Sequence, residues 1–307
     1  MPNDYDVLII GGGLAGLTAG MFAARYGLYT GIIEQMMGGA QIINLEKIEN
    51  FPGFPEGIAG AELGPAAQEQ AMDAGANFVM GEVNGVTRDG NYKVVDSDSG
   101  SYRAKSVIIA AGSTLRQLNI GEDQFDGKGI SHCATCDGAF YIGQTVGVVG
   151  GGDSAADEAL TLTEYADRVL LFHRRDQFKA QKILQERLVA NPKIDIYWNT
   201  EILGVLGEDM VSGVRAHNVV TNLDTVVDLS GLFIYVGLEP NSDWLGNVVK
   251  RDRAGHIEVD VSMETSTSGI FAAGDIRQNS VSQLISSAGD GATAAISAFR
   301  YIRGINW

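Results

Sequence analysis

The sequence predicts an α/β fold of two three-layer ββα domains, the second inserted in the first. Two observations predict the domains: a buried strand runs directly into a glycine-rich turn at Gly11, and the same arrangement recurs at Gly150. The insertion is predicted by two stretches that look like crossings between domains, at residues 113–122 and 237–241. The predicted bounds are 1–115 plus 245–307 for the outer domain and 116–244 for the inner domain.

The composition of the 307-residue chain limits its partners. It has 38 acidic and 22 basic residues, a formal net charge of −16, and such a surface repels nucleic-acid phosphates and anionic lipid. No uncharged apolar stretch reaches the ~20 residues of a membrane-spanning helix. Asp4 and Asp6 occupy positions where a secretory signal has positive charge. We therefore expect a cytoplasmic protein that binds neither nucleic acid nor membranes.

The first glycine-rich turn follows a predicted strand over 5–10 and precedes a helix that runs to about Tyr26. A second strand over 29–33 ends in an acidic residue. In a Rossmann-like unit the first glycine permits the turn, the second lets a diphosphate approach, and the third allows close helix packing. The acid accepts hydrogen bonds from ribose hydroxyls. These features predict a site for the adenosine of an FAD-like dinucleotide, formed by Gly11, Gly13, Gly16 and Glu34.

The remainder of the outer domain alternates predicted helix and strand. A helix is predicted over 61–76, and alternating apolar stretches near 78–86, 92–95 and 101–110 are typical of strands. The last of these strands ends in a run of small residues at Gly112. Small residues let a cofactor pass close to the backbone, so Gly112 is a further candidate for cofactor binding.

The second glycine-rich turn, Gly-Gly-Gly-Asp-Ser-Ala, follows a predicted strand over 145–149. Glu34 follows Gly11 by 23 positions, and His173 follows Gly150 by the same number, at the end of a predicted strand over 168–172. Basic residues replace the acid here, and a basic cluster favours a 2′-phosphate over a free hydroxyl. A solvated helix start is the alternative. The pattern predicts a site for NADPH in preference to NADH, formed by Gly150, Gly152, Asp153, Ser154, His173, Arg174, Arg175 and Lys179.

A cysteine pair precedes the second turn. Cys133 and Cys136 are the only cysteines in the chain, and this spacing in an α/β protein indicates a small-loop disulfide or a redox dithiol. Thiol–disulfide exchange needs a proton donor, and Asp137 follows the second cysteine directly. A zinc half-site is the alternative, but a closed zinc site has four ligands, and His132 is the one histidine nearby in sequence.

The last predicted strand, over 269–275, ends in Asp275 and precedes a final helix from about 292 to 301. An aspartate at the carboxyl end of a strand is suited to bind the ribityl chain of a flavin. A simple helix cap is the alternative for such a residue.

Six motifs follow one another along the chain: GGGLAG (11–16), ENFPGF (49–54), CATCDG (133–138), GGGDSA (150–155), HRRDQFK (173–179) and GIFAAGD (269–275). In their order and spacing they resemble the low-molecular-weight, bacterial-type thioredoxin reductases over nearly the whole chain. The resemblance implies a homodimeric flavoprotein that passes electrons from NADPH through FAD and the cysteine pair to oxidised thioredoxin.

The resemblance also implies roles for single residues. Cys136 becomes the charge-transfer thiol beside the flavin, Cys133 the thiol that attacks the thioredoxin disulfide, and Asp137 the general acid that protonates the departing thiolate. The FAD contacts that it implies are Gly11, Gly13, Gly16, Glu34, Gln41, Asn50, Asp275 and Gln283.

Three positions depart from the pattern of that family. Lys179 replaces the usual arginine, which keeps the charge but loses the bidentate fork. Ser282 replaces an arginine near the flavin. Trp307 ends the chain, and in some members that do not use NADPH an aromatic tail covers the flavin; packing on the protein surface or at a dimer contact is the simpler explanation.

Other functions stay open on the sequence alone. One is a reductase supplied by another donor such as ferredoxin, and another is a dithiol oxidase that returns electrons to O2. The intact basic cluster His173-Arg174-Arg175 argues against a lost nicotinamide site, whereas Ser282 and Trp307 leave these functions open. A flavin-bound redox sensor without turnover is the non-enzymatic alternative, and the position of Asp137 beside Cys136 argues against it.

Overall fold

A computed structural model describes residues 4–36 and 39–305 of the chain. These residues form two compact units: the first contains the described residues up to Thr114 and from Glu239 onward, and the second is Leu115–Leu238. The sequence placed 239–244 in the inner domain. In the structure they lie in the first unit, where the side-chain amide of Asn241 donates to the carbonyl of Ala111 (2.9 Å).

The secondary structure alternates strands and helices through both units. The strands are β1 Asp4–Ile10, β2 Thr30–Glu34, β3 Asn77–Met80, β4 Val83–Asp89, β5 Tyr92–Ser97, β6 Gly100–Ile109, β7 Ser113–Leu115, β8 Ile130–Ser131, β9 Thr145–Gly150, β10 Arg168–His173, β11 Ile194–Trp198, β12 Thr200–Gly207, β13 Val211–Asn218, β14 Leu223–Asp228, β15 Gly231–Tyr235, β16 Leu238–Pro240 and β17 Ile270–Ala272. The α-helices are α1 Leu14–Arg25, α2 Gly60–Asp73, α3 Ala134–Asp137, α4 Asp153–Leu162, α5 Lys182–Ala190 and α6 Leu284–Arg303. None of the helices in the described ranges has both the length and the apolar character needed to cross a membrane.

The first unit is built on a sheet with strand order β3-β2-β1-β6-β5-β4, to which β17 adds by pairing with β6. Strands β1, β2, β3, β6 and β17 are parallel, whereas β4, β5 and the first half of β6 form an antiparallel meander. Successive side chains of β1 point to opposite faces. Val7 and Ile9 pack with α1 and α6, while Leu8 and Ile10 pack with Val95 of the meander. Both faces of the parallel sheet are therefore covered.

The second unit repeats this three-layer arrangement. Its parallel sheet has the order β11-β10-β9-β15-β8, and β12, β13 and β14 form a separate antiparallel sheet. Val146 and Val148 of β9 pack in one core with α4 and α5, and Val149 packs in the other core with Val214 of the antiparallel sheet. The predicted α/β fold with two Rossmann-like, three-layer ββα units is confirmed.

Two parts of the fold differ from the sequence prediction. The final helix was predicted from about 292, but α6 begins at Leu284 and includes the glycines that the prediction had excluded. An added Cβ at Gly291 would lie 2.1 Å from the carbonyl oxygen of Ala15 in α1, so the packing of α6 on α1 explains this glycine, whereas an added Cβ at Gly289 meets no heavy atom within 4 Å. In addition, no elements were predicted between 173 and 230, where α5 and β11–β14 lie.

A buried carboxylate fixes the segment where the chain enters the second unit. Glu122 is 2% exposed and accepts hydrogen bonds from the backbone N–H groups of Leu118 (2.5 Å), Asn119 (2.8 Å) and Ile120 (2.7 Å). Burial acts to raise the pKa of this carboxyl, but the N–H groups that donate to it outweigh burial, and the pKa is lowered. The ionised carboxylate therefore stabilises the folded second unit.

We expect Glu122→Gln to destabilise the second unit by about 2 kcal/mol at pH 7, because the amide offers one acceptor oxygen and no charge to three donors. Thermal unfolding followed by circular dichroism should show a midpoint about 5 °C lower. Since the folded-state pKa is lowered, the contribution is fully present above pH 4.5, the ordinary value, and is lost as the pH falls through the folded-state pKa.

The matched control is Glu208→Gln, at an exposed position of the same unit. A Glu122→Gln midpoint equal to that of this control, or a difference that grows on acidification, would contradict the assignment.

Candidate active site

The cysteine pair lies in the second unit, directly after edge strand β8. The sulfurs of Cys133 and Cys136 are bonded to each other at 2.13 Å, and the two Cα atoms are 5.3 Å apart. Cys133 precedes α3 as its N-cap, and the backbone N–H of Cys136 donates to Cys133 Sγ (3.1 Å). Across residues 4–36 and 39–305, no group of three or more His, Cys, Asp or Glu side chains is placed to hold a metal ion. The pair is thus a small-loop disulfide, one of the two arrangements that the spacing indicated.

Asp137 is held in place by a serine of the same loop. The hydroxyl of buried Ser131 donates to Asp137 Oδ2 (2.7 Å) and accepts the backbone N–H of Cys133 (3.1 Å). One hydroxyl therefore joins the first cysteine to the carboxyl that follows the second. Sequence reasoning missed Ser131, although it lies two residues before Cys133, at the spacing of a serine turn.

A second carboxylate lies at the start of α3. Glu158, on α4, accepts the backbone N–H of Ala134 at 2.6 Å. Burial raises the pKa of the Tyr235 hydroxyl well above its ordinary value, and nearby Glu158 raises it further, so Tyr235 stays protonated. No local pattern marks these residues, because Glu158 and Tyr235 are far in sequence from the cysteines and approach Ala134, which follows Cys133, only through the fold.

The first glycine-rich turn lies in the first unit between β1 and α1. Gly11 has φ +109°, and an added Cβ there would lie 2.3 Å from the carbonyl oxygen of Ala110. An added Cβ at Gly16 would lie 1.8 Å from the carbonyl oxygen of Gly11. At Gly13, by contrast, an added Cβ meets no heavy atom within 4 Å. The turn therefore leaves open space at the N-terminus of α1, where backbone N–H groups favour an anion such as a diphosphate.

The second turn repeats this geometry between β9 and α4. An added Cβ at Gly150 would lie 2.5 Å from the carbonyl oxygen of Tyr235, whereas Gly152 again has no neighbour within 4 Å. Asp153 and Ser154 are the first residues of α4. The residues predicted for a diphosphate thus lie together in this unit, around open space of the same kind.

Strands β2 and β10 end in Glu34 and His173, and each of these residues lies against the glycine-rich turn of its own unit. Glu34 accepts the backbone N–H of Gly12 through Oε2, and that of Met36 through Oε1 at 2.9 Å. His173 packs against Gly151, where an added Cβ would lie 2.1 Å from its ring. The imidazole is 7% exposed, and its Nε2 lies 3.0 Å from the carbonyl oxygen of Gln177. His173 therefore lies beneath the turn, apart from the exposed cations that follow it.

Those cations are Arg174, Arg175 and Lys179, all with exposed side chains. No ion pair joins any of the three to another described residue. The guanidinium and ammonium groups are therefore available to an anionic ligand beside the turn.

Several other predicted contacts of the first unit are also placed by the fold. Asn50 Nδ2 donates to Gln283 Oε1 at 2.9 Å, although 233 positions separate the two residues. Gln41 Nε2 donates to the carbonyl oxygen of Ser113 at 3.0 Å. Gly112, one residue earlier, has φ +61°. The structure thus joins the predicted flavin contacts in two pairs, Asn50 with Gln283 and Gln41 with the segment after Gly112.

Asp275 lies in a short 3₁₀ turn after β17. Its Oδ1 accepts the hydroxyl of Ser280 at 3.1 Å and contacts that of Ser287 at 3.5 Å. Burial raises the pKa of its carboxyl against the effect of these hydroxyls, and the charge of Asp290 raises it further. The strand was predicted to end in Asp275, but β17 ends at Ala272, and Asp275 follows the carboxyl end of this parallel strand by three residues.

The guanidinium of Arg277, five positions before Ser282, is bound within the first unit. The guanidinium of Arg277 donates to Asp290 through Nε (2.6 Å) and Nη2 (3.0 Å), and its Nη1 donates to the carbonyl of Gln278 (3.1 Å). Asp290 also accepts the backbone N–H of Gly274 at 3.2 Å. Arg277 therefore holds the turn before Ser282 in place. Trp307, the other departure near the end of the chain, lies outside the described residues.

Residues 5–292 match the pyridine nucleotide-disulphide oxidoreductase family. A thioredoxin reductase of Bacillus subtilis (strain 168) is 42% identical over 97% of this chain and 95% of its own length. The chain belongs to the thioredoxin reductases of this family. The crystal structure of Lactococcus lactis thioredoxin reductase matches with a TM-score of 0.96 at 40% identity, over 98% of this chain and 100% of that one. That of T. acidophilum thioredoxin reductase matches at 0.93 and 32% identity, over 97% and 98%. Membership in the family implies a flavin and a nicotinamide cofactor, which the two open turns fit.

The open spaces at Gly13 and Gly152 give a paired test of where the cofactors bind. Both residues have backbone angles that alanine adopts readily, so Gly13→Ala and Gly152→Ala should fold normally. We expect Gly13→Ala to bind flavin roughly tenfold or more weakly, because its methyl group would occupy the space of the diphosphate. Gly152→Ala should keep its flavin and bind nicotinamide nucleotide more weakly. Flavin absorbance per chain and calorimetric nucleotide titration measure the two effects.

Gly16→Ala is the control for a fold defect, since its methyl group would collide with backbone inside the unit. Stoichiometric flavin in purified Gly13→Ala would contradict the placement of the diphosphate in the first unit.

Proposed function

We propose that the protein is an NADPH-dependent thioredoxin-disulfide reductase, a flavoprotein that passes electrons from NADPH through FAD and the Cys133/Cys136 pair to the disulfide of thioredoxin. The observation that carries the proposal is the bonded cysteine pair with Asp137 held beside it by Ser131. The thioredoxin reductases that resemble the chain over nearly its full length support it.

FAD is the flavin that suits the first unit. The open turn at Gly13 fits a diphosphate, and the acid at the end of β2 fits an adenosine ribose. When bound, FAD supplies the transfer of two electrons between a nicotinamide and a disulfide. The residues that would hold it are Gly11, Gly13, Gly16, Glu34, Gln41, Asn50, Gly112, Asp275 and Gln283.

NADPH is the nicotinamide nucleotide that suits the second unit. The open turn at Gly152 fits its diphosphate, and the exposed cations Arg174, Arg175 and Lys179 fit a 2′-phosphate. An acid occupies the matching position of the first unit, so the two turns differ in the ribose that they favour. The residues that form the proposed NADPH site are Gly150, Gly152, Asp153, Ser154, His173, Arg174, Arg175 and Lys179.

The chemistry of the thiols follows from the reduced pair. As a thiolate, Cys133 Sγ attacks one sulfur of the thioredoxin disulfide; a mixed disulfide forms, and the other thioredoxin sulfur leaves as a thiolate. Asp137 donates a proton to that thiolate. Cys136 Sγ then attacks Cys133 Sγ, which re-forms the Cys133–Cys136 bond and releases the second thioredoxin sulfur as a thiolate; this thiolate takes up the proton that the Cys136 thiol gives up. Thioredoxin gains two electrons and two protons, and the cysteine pair loses two electrons.

Ser131 prepares Asp137 for this role. Its hydroxyl donates to one carboxyl oxygen of Asp137, so the other oxygen remains for the proton that is transferred. A donor that is already oriented transfers its proton without first being ordered.

Two further parts of the proposal concern the protein as a whole. We propose a homodimer, which sedimentation of the holoenzyme would test. We also propose a cytoplasmic location, which suits a chain whose only two cysteines form one redox pair.

The first expected result concerns the electron donor. In an anaerobic titration of the oxidised holoenzyme, NADPH should bleach the flavin absorbance near stoichiometry, whereas NADH should require far more, because it lacks the phosphate that Arg174 and Arg175 would bind. The double variant Arg174→Ala/Arg175→Ala should need at least tenfold more NADPH. If neither nucleotide bleaches the flavin but dithionite does, the NADPH assignment fails, and ferredoxin becomes the donor to test.

The second expected result concerns the cysteines. Cys133→Ser should abolish turnover with thioredoxin while NADPH still reduces the flavin, since the variant lacks only the attacking sulfur. Asp137→Asn should lower the rate of thioredoxin reduction about 10²-fold or more, because it lacks a general acid. Normal NADPH-driven reduction of thioredoxin by Cys133→Ser would rule out the proposed function. Rapid O2 consumption with a small dithiol as the sole donor would favour the oxidase instead.

A further inference from the structure

The segment that bears Lys179 is fastened to the second glycine-rich turn by consecutive hydrogen bonds. The backbone N–H groups of Lys179 and Ala180 both donate to the carbonyl oxygen of Gly151, at 2.8 and 3.2 Å. The next backbone N–H, that of Gln181, donates to Asp153 Oδ1 at 2.8 Å. The side-chain amide of Gln181 donates to the other carboxylate oxygen, Oδ2, at 2.9 Å. Both carboxylate oxygens of Asp153 thus accept from one residue of this segment.

Asp153 lies where an acidic residue is not expected to bind a nucleotide. Asp153 is the first residue of α4, beside the open space at Gly152 where the nucleotide diphosphate is expected. A carboxylate there repels a diphosphate by Coulomb interaction, so direct binding of the nucleotide does not explain an acid at this position. The contacts with Gln181 do, because a carboxylate accepts two hydrogen bonds in parallel and strengthens both by its charge.

The segment carries the side chain of Lys179, one of the three cations proposed to bind the 2′-phosphate. This side chain is exposed, and its ammonium group forms no hydrogen bond or ion pair with another of the described residues. The backbone from which this cation extends is held beside the diphosphate turn by the bonds at Gly151 and by the Asp153–Gln181 contact. Arg174 and Arg175 follow β10 directly and do not depend on that contact.

We propose that Asp153 and Gln181 are specificity-positioning residues, which hold Lys179 at the distance from the diphosphate turn where it binds the 2′-phosphate of a nicotinamide nucleotide. The inference rests on the proposed NADPH site and assigns to Asp153 a positioning role instead of contact with the nucleotide. NAD(H) has no 2′-phosphate, so loosening the contact weakens NADP(H) binding selectively. A purely structural role would change the affinities of both nucleotides together or neither.

The test measures dissociation constants of NADP+ and NAD+ for the oxidised holoenzyme by isothermal titration calorimetry, which requires no turnover. Gln181 is exposed, so Gln181→Ala should fold. We expect it to weaken NADP+ binding about tenfold and to change NAD+ binding less than twofold. Asp153→Ala should lower the NADP+/NAD+ affinity ratio by a similar factor. Glu186→Gln, on exposed α5 with Lys182 as its ionic partner, is the matched control and should leave the ratio unchanged.

Asp153→Asn separates the hydrogen bonds from the charge. The asparagine oxygen still accepts the backbone N–H of Gln181, and its amide is able to donate to the Gln181 side-chain oxygen. We expect the NADP+/NAD+ ratio to stay within about twofold of the wild-type ratio while both nucleotides bind more tightly, because a negative charge beside the diphosphate is removed.

Two results would overturn the inference: an NADP+/NAD+ affinity ratio that is unchanged in both Gln181→Ala and Asp153→Ala, as when both nucleotides bind equally more weakly, or a wild-type protein that binds neither nucleotide. Failure of the proposed function is distinguishable from these. If the wild type binds NADP+ more tightly than NAD+ but NADPH supports no reduction of thioredoxin, the reductase proposal fails, and the calorimetric ratios still decide the role of Asp153 and Gln181.

Discussion

One steric constraint underlies both units: the first glycine of each turn lies against the backbone at the end of the adjacent central strand. A Cβ at Gly11 would overlap the carbonyl of Ala110 beyond β6, and a Cβ at Gly150 would overlap the carbonyl of Tyr235 in β15. This contact lets the chain leave the strand and enter a helix within a few residues. The helix N-terminus then opens at the carboxyl edge of the sheet, beside the space at Gly13 or Gly152. The candidate cofactor sites exist only because no side chain is present at the first glycine.

The same frame supports two different chemistries through the residue that packs against the middle glycine of each turn, Gly12 or Gly151. Glu34 and His173 occupy equivalent positions, and each is fixed by contact with its turn. The two turns differ in the charged groups that remain available to a ribose or its phosphate. Glu34 is an anion, which suits ribose hydroxyls, whereas His173 is buried with its Nε2 at the Gln177 carbonyl and leaves recognition to the exposed cations after it. The two turns therefore favour different riboses because of the residue at this position and the residues that follow it.

The parts of the structure that could be predicted from the sequence are those determined by near neighbours. A buried strand followed by spaced glycines specifies its own turn, and the CxxC spacing specifies a small loop, so these features and the fold class were predicted. The rest depends on partners distant in sequence. No local signal marks Glu158 near the cysteines or the contact of Arg277 with Asp290. Asn50 and Gln283 were named only through the resemblance, and their hydrogen bond was not predicted. The predicted start of α6 was wrong because glycines lower helix propensity and were therefore excluded from the helix. In the structure Gly291 is part of α6, because it allows the helix to approach α1 closely.

The two crossings of the chain between the units lie side by side. β7 and β16 pair with each other, and the backbone N–H of Arg116 donates to the carbonyl of Gly237 (2.9 Å). The whole of Leu115–Leu238 therefore leaves the first unit and returns to it at one point, like a long loop with closed ends. A host domain loses little loop-closure entropy to such an insertion, because the cost rises only slowly with loop length. The inserted segment can therefore vary in length at only a small cost in loop-closure entropy to the first unit.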